Sequence, residues 1–124
     1  MRLLDLVVRL EWLAIFAAAV AFYAFTGGSW VFFLLLFLAP DLSMIGYLAG
    51  PRAGALAYNM FHTVVGPLCL IGLGSVFGHA LLFQLGAIWM AHIGFDRVLG
   101  YGLKAATSFH ETHMGRIGRK QLNP

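Results

Sequence analysis

Charge is scarce in this chain. Only 10% of its 124 residues are Asp, Glu, Lys or Arg, against roughly 25% in a soluble globular protein. A domain this small has too much surface per volume to hide 60% hydrophobic residues from water. The scarcity excludes a soluble enzyme and a disordered tail. Cysteine is nearly absent as well. Cys69 is alone, which excludes a disulfide scaffold and any cysteine-built zinc site. Phosphate loops, nucleophile elbows and dinucleotide glycine motifs are also missing. The net charge of +3 is spread along an apolar chain, so it gives no nucleic-acid face.

What is present is long apolar runs. No Asp, Glu, Lys or Arg occurs between Ala53 and Phe95. A helix needs about 20 apolar residues to cross the hydrocarbon core. That stretch therefore holds two passes, with a turn near Gly78-His79. The N-terminal half holds two more. The expected fold is all-α: an integral membrane four-helix bundle of up-down topology. The helices are expected at about 4–25, 30–48, 54–77 and 80–103, making one domain over 1–103. A short basic cytoplasmic tail is expected over 104–124. Thr26-Gly-Gly-Ser29 breaks the first helix and caps the second. Gly50-Pro51-Arg52 separates the second from the third. Pro67 is expected to kink the third and free the carbonyl of Thr63. The N-terminal apolar run is of spanning length and carries no cleavage signal, so it reads as a helix rather than a leader.

Orientation follows from lysine and arginine. Four passes put all eight on the side that holds both termini and the central loop. The positive-inside rule places that side in the cytoplasm, and the bacterial inner membrane is the expected location.

Ionisable residues inside a span are costly and mark function by default. At about 1.5 Å per residue, Glu11, Asp41, Asn59, His62, His92 and Asp96 fall roughly 6–14 Å from the cytoplasmic helix ends. All four helices thus bring polar groups to one layer. Asn59 and His62 share a helical face, as do His92 and Asp96. Tyr47, Tyr58 and Tyr101 lie nearer the cytoplasmic mouth.

A divalent metal site is the sharpest reading of this layer. Asp41, His62, His92, Glu11 and Asp96 are its candidate ligands, and zinc, iron or manganese suits such a set. Glu11 or Asp96 would serve as general base, and Asn59, Tyr58, Tyr47 and Tyr101 as supporting residues. The substrate would be hydrophobic or lipid-like. Alternatives stay open: haem or a chlorin held through His62 and His92 in a non-enzymatic subunit of a larger membrane complex, a proton or ion path that would need a homodimer, or a hydrogen-bonded network with no ligand. In the tail, Ser108 and Glu111 have capping-box spacing for a short helix. His110 and His113 could make a surface metal site, or the tail could fold back over the mouth. Arg116, Arg119 and Lys120 are expected at anionic headgroups.

The segments Pro40-Asp-Leu-Ser-Met-Ile-Gly-Tyr-Leu-Ala-Gly-Pro-Arg52, Tyr58-Asn-Met-Phe-His-Thr63 and Trp89-Met-Ala-His-Ile-Gly-Phe-Asp-Arg-Val-Leu-Gly-Tyr-Gly-Leu-Lys104 resemble a family of small bacterial membrane proteins of unknown function. The resemblance spans nearly the whole chain, including Thr112-His113. It implies a four-helix membrane fold and no reaction. Its motifs fall on Asp41, Asn59, His62, His92 and Asp96.

Overall fold

A computed structural model describes residues 2–102, 104–105, 108–112 and 115–116. Residues 3–99 are helical almost throughout. Helix α1 runs Leu3–Phe25, α2 Trp30–Phe37, α3 Pro51–His62, α4 Val65–Phe77 and α5 Ala80–Leu99. A 3-10 helix fills Ala39–Ala49. These segments form four rods, because two of the expected helices are broken rather than continuous.

Both breaks trace to proline. Pro40 has no N–H to give, and the chain tightens from α-helix to 3-10 helix around it. Eleven residues is long for a 3-10 helix. Pro67 likewise cannot bond the carbonyl of Thr63, one turn back. Thr63 adopts an extended conformation (φ −89°, ψ 149°), and α3 ends at His62. The kink expected at Pro67 is thus a full break one turn earlier, directly after a candidate ligand. The third rod also starts three residues before its expected start, because Pro51 suits the first helical position. Across their breaks, Trp30–Ala49 and Pro51–Phe77 are long and apolar enough to cross a membrane.

The fourth rod stops at Leu99 rather than at 103. Gly100 takes a left-handed conformation (φ 95°). Tyr101 N–H donates to the Asp96 carbonyl at 2.8 Å and Gly100 N–H to the Arg97 carbonyl at 3.1 Å. That pattern is a Schellman cap. Arg9 of α1 reaches across to the Val98 carbonyl at 3.3 Å, putting a cation at the same helix end.

Helix α5 is the centre of the molecule, packed on α1 and α4, while the 3-10 helix packs on α3. Small residues set these contacts. A Cβ added at Gly94 would lie 3.2 Å from Phe16 of α1, and one at Gly74 would lie 2.5 Å from the Phe83 backbone. A column of rings from Tyr23 through Phe33 and Phe37 runs up the bundle. It ends edge-on against His92, at 5.5 Å.

The tail forms a small antiparallel sheet in place of the expected short helix: β1 Lys104–Ala105, β2 Ser108–Thr112 and β3 Gly115–Arg116. Phe109 and Thr112 favour the extended state over the capping box. The sheet lies against α3, the helix that ends in His62. His113, Arg119 and Lys120 fall outside the described residues.

Candidate metal centre

Three rods deliver four side chains to one point. Asp41 comes from the first turn of the 3-10 helix, His62 from the last residue of α3, and His92 and Asp96 from one face of α5. One donor atom from each lies within 4.8 Å of all the others.

The individual distances are tighter than that. His62 Nε2 is 3.1 Å from Asp41 Oδ1 and 3.4 Å from Asp96 Oδ2. His92 Nε2 is 3.2 Å from each of the same oxygens. The two Nε2 atoms are 3.1 Å apart. Bonds of 2.0–2.1 Å put tetrahedral ligands about 3.3–3.4 Å apart. Octahedral neighbours at the same bond length are about 2.8–3.0 Å apart. The N–N and N–O edges lie above the octahedral spacing and reach the tetrahedral one.

Hydrogen bonding around His62 favours a ligand role. Its Nδ1 lies 2.8 Å from the Tyr58 carbonyl. A carbonyl only accepts, so Nδ1 carries the proton. In a neutral ring Nε2 then presents a lone pair to the cluster. This is the arrangement of a metal-bound histidine steadied from behind by backbone. The Tyr58 ring also stacks on the His62 ring, 3.7 Å between centroids and 7° from parallel. His92 differs, since its buried Nδ1 has no partner among the described residues.

Charge points the same way. Two ionised carboxylates beside two neutral imidazoles carry −2 where both histidines are at most 2% exposed, and the buried Arg97 guanidinium near Asp96 offsets only part of it. Such a charge needs compensation when water is excluded. A divalent cation or added protons supply the rest. Asp41, with a side chain 36% exposed, forms the open edge, whereas Asp96 at 14% is held further in.

Haem fits poorly. Axial nitrogens on opposite sides of one iron would stand about 4 Å apart, twice a bond of about 2.0 Å. Here they are 3.1 Å apart, with carboxylate oxygens at the positions a macrocycle would need.

The remaining sequence candidates are dispersed. Glu11 is exposed on α1, and it is not among the four grouped residues. Asn59 is half-buried one turn before the break, and its carbonyl accepts the Thr63 N–H at 3.0 Å. The Tyr47 ring lies across Gly54, where an added Cβ would come within 2.2 Å of it. Tyr101 is exposed beyond the α5 cap. Trp89, three residues before His92, lies over Gly66 and donates to the Phe61 carbonyl at 2.6 Å.

One residue beside the site carries no sequence signal. Arg97 is only 6% exposed. Its guanidinium donates to the His62 carbonyl at 2.9 Å and lies 5.0 Å from the Trp12 ring centre. The structure turns it inward to cap the broken end of α3, where helix carbonyls lack helical donors.

The molecule is a helical protein with apolar rods and a buried His2Asp2 cluster. It belongs to the family described as "Domain of unknown function (DUF4260)", whose model matches residues 5–117. No curated protein and no solved structure matches the chain.

Proposed function

We propose that this chain is an integral membrane protein whose four rods cross the bacterial inner membrane with both termini in the cytoplasm, and that its His2Asp2 cluster binds one divalent metal ion. The convergence of two imidazole nitrogens and two carboxylate oxygens, with each N–N and N–O pair at 3.1–3.4 Å, carries the metal reading. The membrane reading is supported by what the rods turn outward. Leu35, Leu48 and Val76 are 74%, 89% and 78% exposed, which suits lipid and not water. The charge asymmetry of the loops sets the orientation.

Zinc, iron or manganese matches a nitrogen and oxygen donor set of this size. A bound ion would supply Lewis acidity toward a carbonyl or phosphoryl oxygen. His62, His92 and Asp96 form the enclosed part of the ligand set. Asp41 faces the opening, where a ligand could be exchanged or a proton accepted. This suits metal-dependent chemistry on a hydrophobic substrate.

The test is elemental analysis of detergent-purified protein prepared without chelators. About one equivalent of metal per chain, lost in His62→Ala, is the expected result. A second reading follows from the same charge balance: with both histidines protonated, the cluster is a neutral ion-paired box that handles protons. Absence of metal from correctly folded protein would sink the first reading and leave the second.

A further inference from the structure

An apolar pocket of about 240 Å³ is lined by residues that lie beside the donors in sequence, Pro40 next to Asp41 and Phe61 next to His62, with Ile88 one turn before His92. Leu36 and Pro40, Phe61, Leu70, and Ile88 with Trp89 form its walls, drawn from the same three rods that supply the donors. Its placement along each rod is consistent. Leu36 precedes Asp41, Leu70 follows His62, and Ile88 and Trp89 precede His92 by about one turn. Neighbouring rods run in opposite directions, so all these offsets point one way. The pocket therefore lies on the bundle-interior side of the cluster, away from the mouth where the basic loops gather.

Its walls are fixed in place. Gly66 lets the Trp89 ring lie flat against the third rod, and the indole N–H is held by the Phe61 carbonyl. Phe61 and Pro40 directly precede the donors His62 and Asp41. Wall and ligand set thus share backbone. An apolar cavity of about 150 Å³ stays dry and takes a benzene ring, so this one has room for a stretch of alkyl chain. Phe61 is 46% exposed, and the rim opens on the lipid-facing side.

We infer that this pocket is the chain-binding subsite of the metal centre, and that its ligand is a single-chain amphiphile. The polar head meets Asp41, His62, His92 and Asp96. The alkyl chain runs past Trp89 toward the middle of the bundle. A polar ligand cluster and an apolar pocket set within a turn of each other on the same three rods suit one molecule with both characters. This inference rests on the metal reading above for the head, and on the pocket alone for the chain.

The two parts are tested separately. The first probe is a bromododecyl hydroxamate added to zinc-loaded protein, with acetohydroxamate as the chainless control. The expected result is saturable quenching of Trp89, at least tenfold tighter binding than the control, and loss of the quenched component in Trp89→Phe. Leu70→Trp fills the pocket from α4, away from the donors. It should abolish the chain-length advantage and leave the zinc content unchanged. Leu85→Phe repeats the test if Leu70→Trp does not fold. Equal affinity for both hydroxamates, or undiminished quenching in the filled variants, overturns the proposal. If the protein takes up no metal, bromododecanoic acid reads the chain subsite alone. Saturable Trp89 quenching that the filled variants abolish then upholds the subsite, and its absence overturns it.

Discussion

His62 and His92 hold their Nε2 atoms 3.1 Å apart although they sit on different rods and 30 positions apart in the chain. Each nitrogen also faces the same Asp41 and Asp96 oxygens. The ring of His62 is pinned from behind by the Tyr58 carbonyl, and that of His92 abuts Phe37. The pair is the narrow point on which both the chemistry and the packing of the three rods converge.

Removal of either histidine should abolish stoichiometric metal binding. His62→Ala and His92→Ala each leave three donors and a cavity. Asp41→Asn, at the exposed edge, should weaken binding roughly 10–100-fold while leaving the protein folded. Metal titration of apoprotein followed by elemental analysis checks the ranking. Equal affinity in Asp41→Asn and wild type would remove Asp41 from the ligand set.

Acid should release the metal. Imidazole and carboxylate bind only when deprotonated, so protons compete with the ion and affinity falls as pH falls. Binding should conversely release protons to an unbuffered solution. Proton release measured by calorimetry in buffers of different ionisation enthalpy checks the sign. Proton uptake would be the wrong sign for this ligand set.

Arg97 should act on the site through backbone. Arg97→Met removes the donor to the His62 carbonyl and leaves the Trp12 ring uncovered. A buried hydrogen bond from a charged group contributes about 1.5–3 kcal/mol. The variant should melt at a lower temperature and bind metal about tenfold more weakly. Arg97→Lys should recover part of both. Unchanged metal affinity with a lower melting temperature would restrict Arg97 to stability.

The 3-10 helix should be intolerant of bulk at its contact with α3. Gly54→Ala drives a methyl into the Tyr47 ring, and Gly46→Val collides with Ala57. Overpacking of this kind costs about 1–3 kcal/mol. Because Asp41 rides on the same segment, both variants should weaken metal binding, and Gly72→Ala, in open space on α4, should not. Thermal unfolding and metal titration of the three variants make the comparison.

Much of the architecture was legible without coordinates. Apolar runs and three glycine-bearing breaks, at Gly27-Gly28, Gly50 and Gly78, were enough to define four rods. Depth along each rod was enough to nominate Asp41, His62, His92 and Asp96, because 1.5 Å per residue converts sequence position into height. Depth carries no azimuth between rods. It therefore could not separate Glu11, which shares the layer but faces outward on α1, from the four that meet.

Local hydropathy was enough for the apolar rods and the glycine-bearing turns between them, whereas the change to 3-10 helix at Pro40 was not legible and the break before Pro67 was legible only as a kink. The turns depend on glycine's freedom at Gly50 and Gly100, and the breaks on proline's missing N–H. Which polar residues touch, that Arg97 turns inward, and that an apolar pocket forms beside Pro40 and Phe61 came from tertiary packing alone. Those outcomes depend on how the rods rotate and how closely they approach. Pro40 and Pro67 tighten or break the rods beside Asp41 and His62. Gly46, Gly54 and Gly66 then let backbones and rings close to contact distance. The fine rotation that brings four donors within bonding range is a property of that packing, and no single segment encodes it.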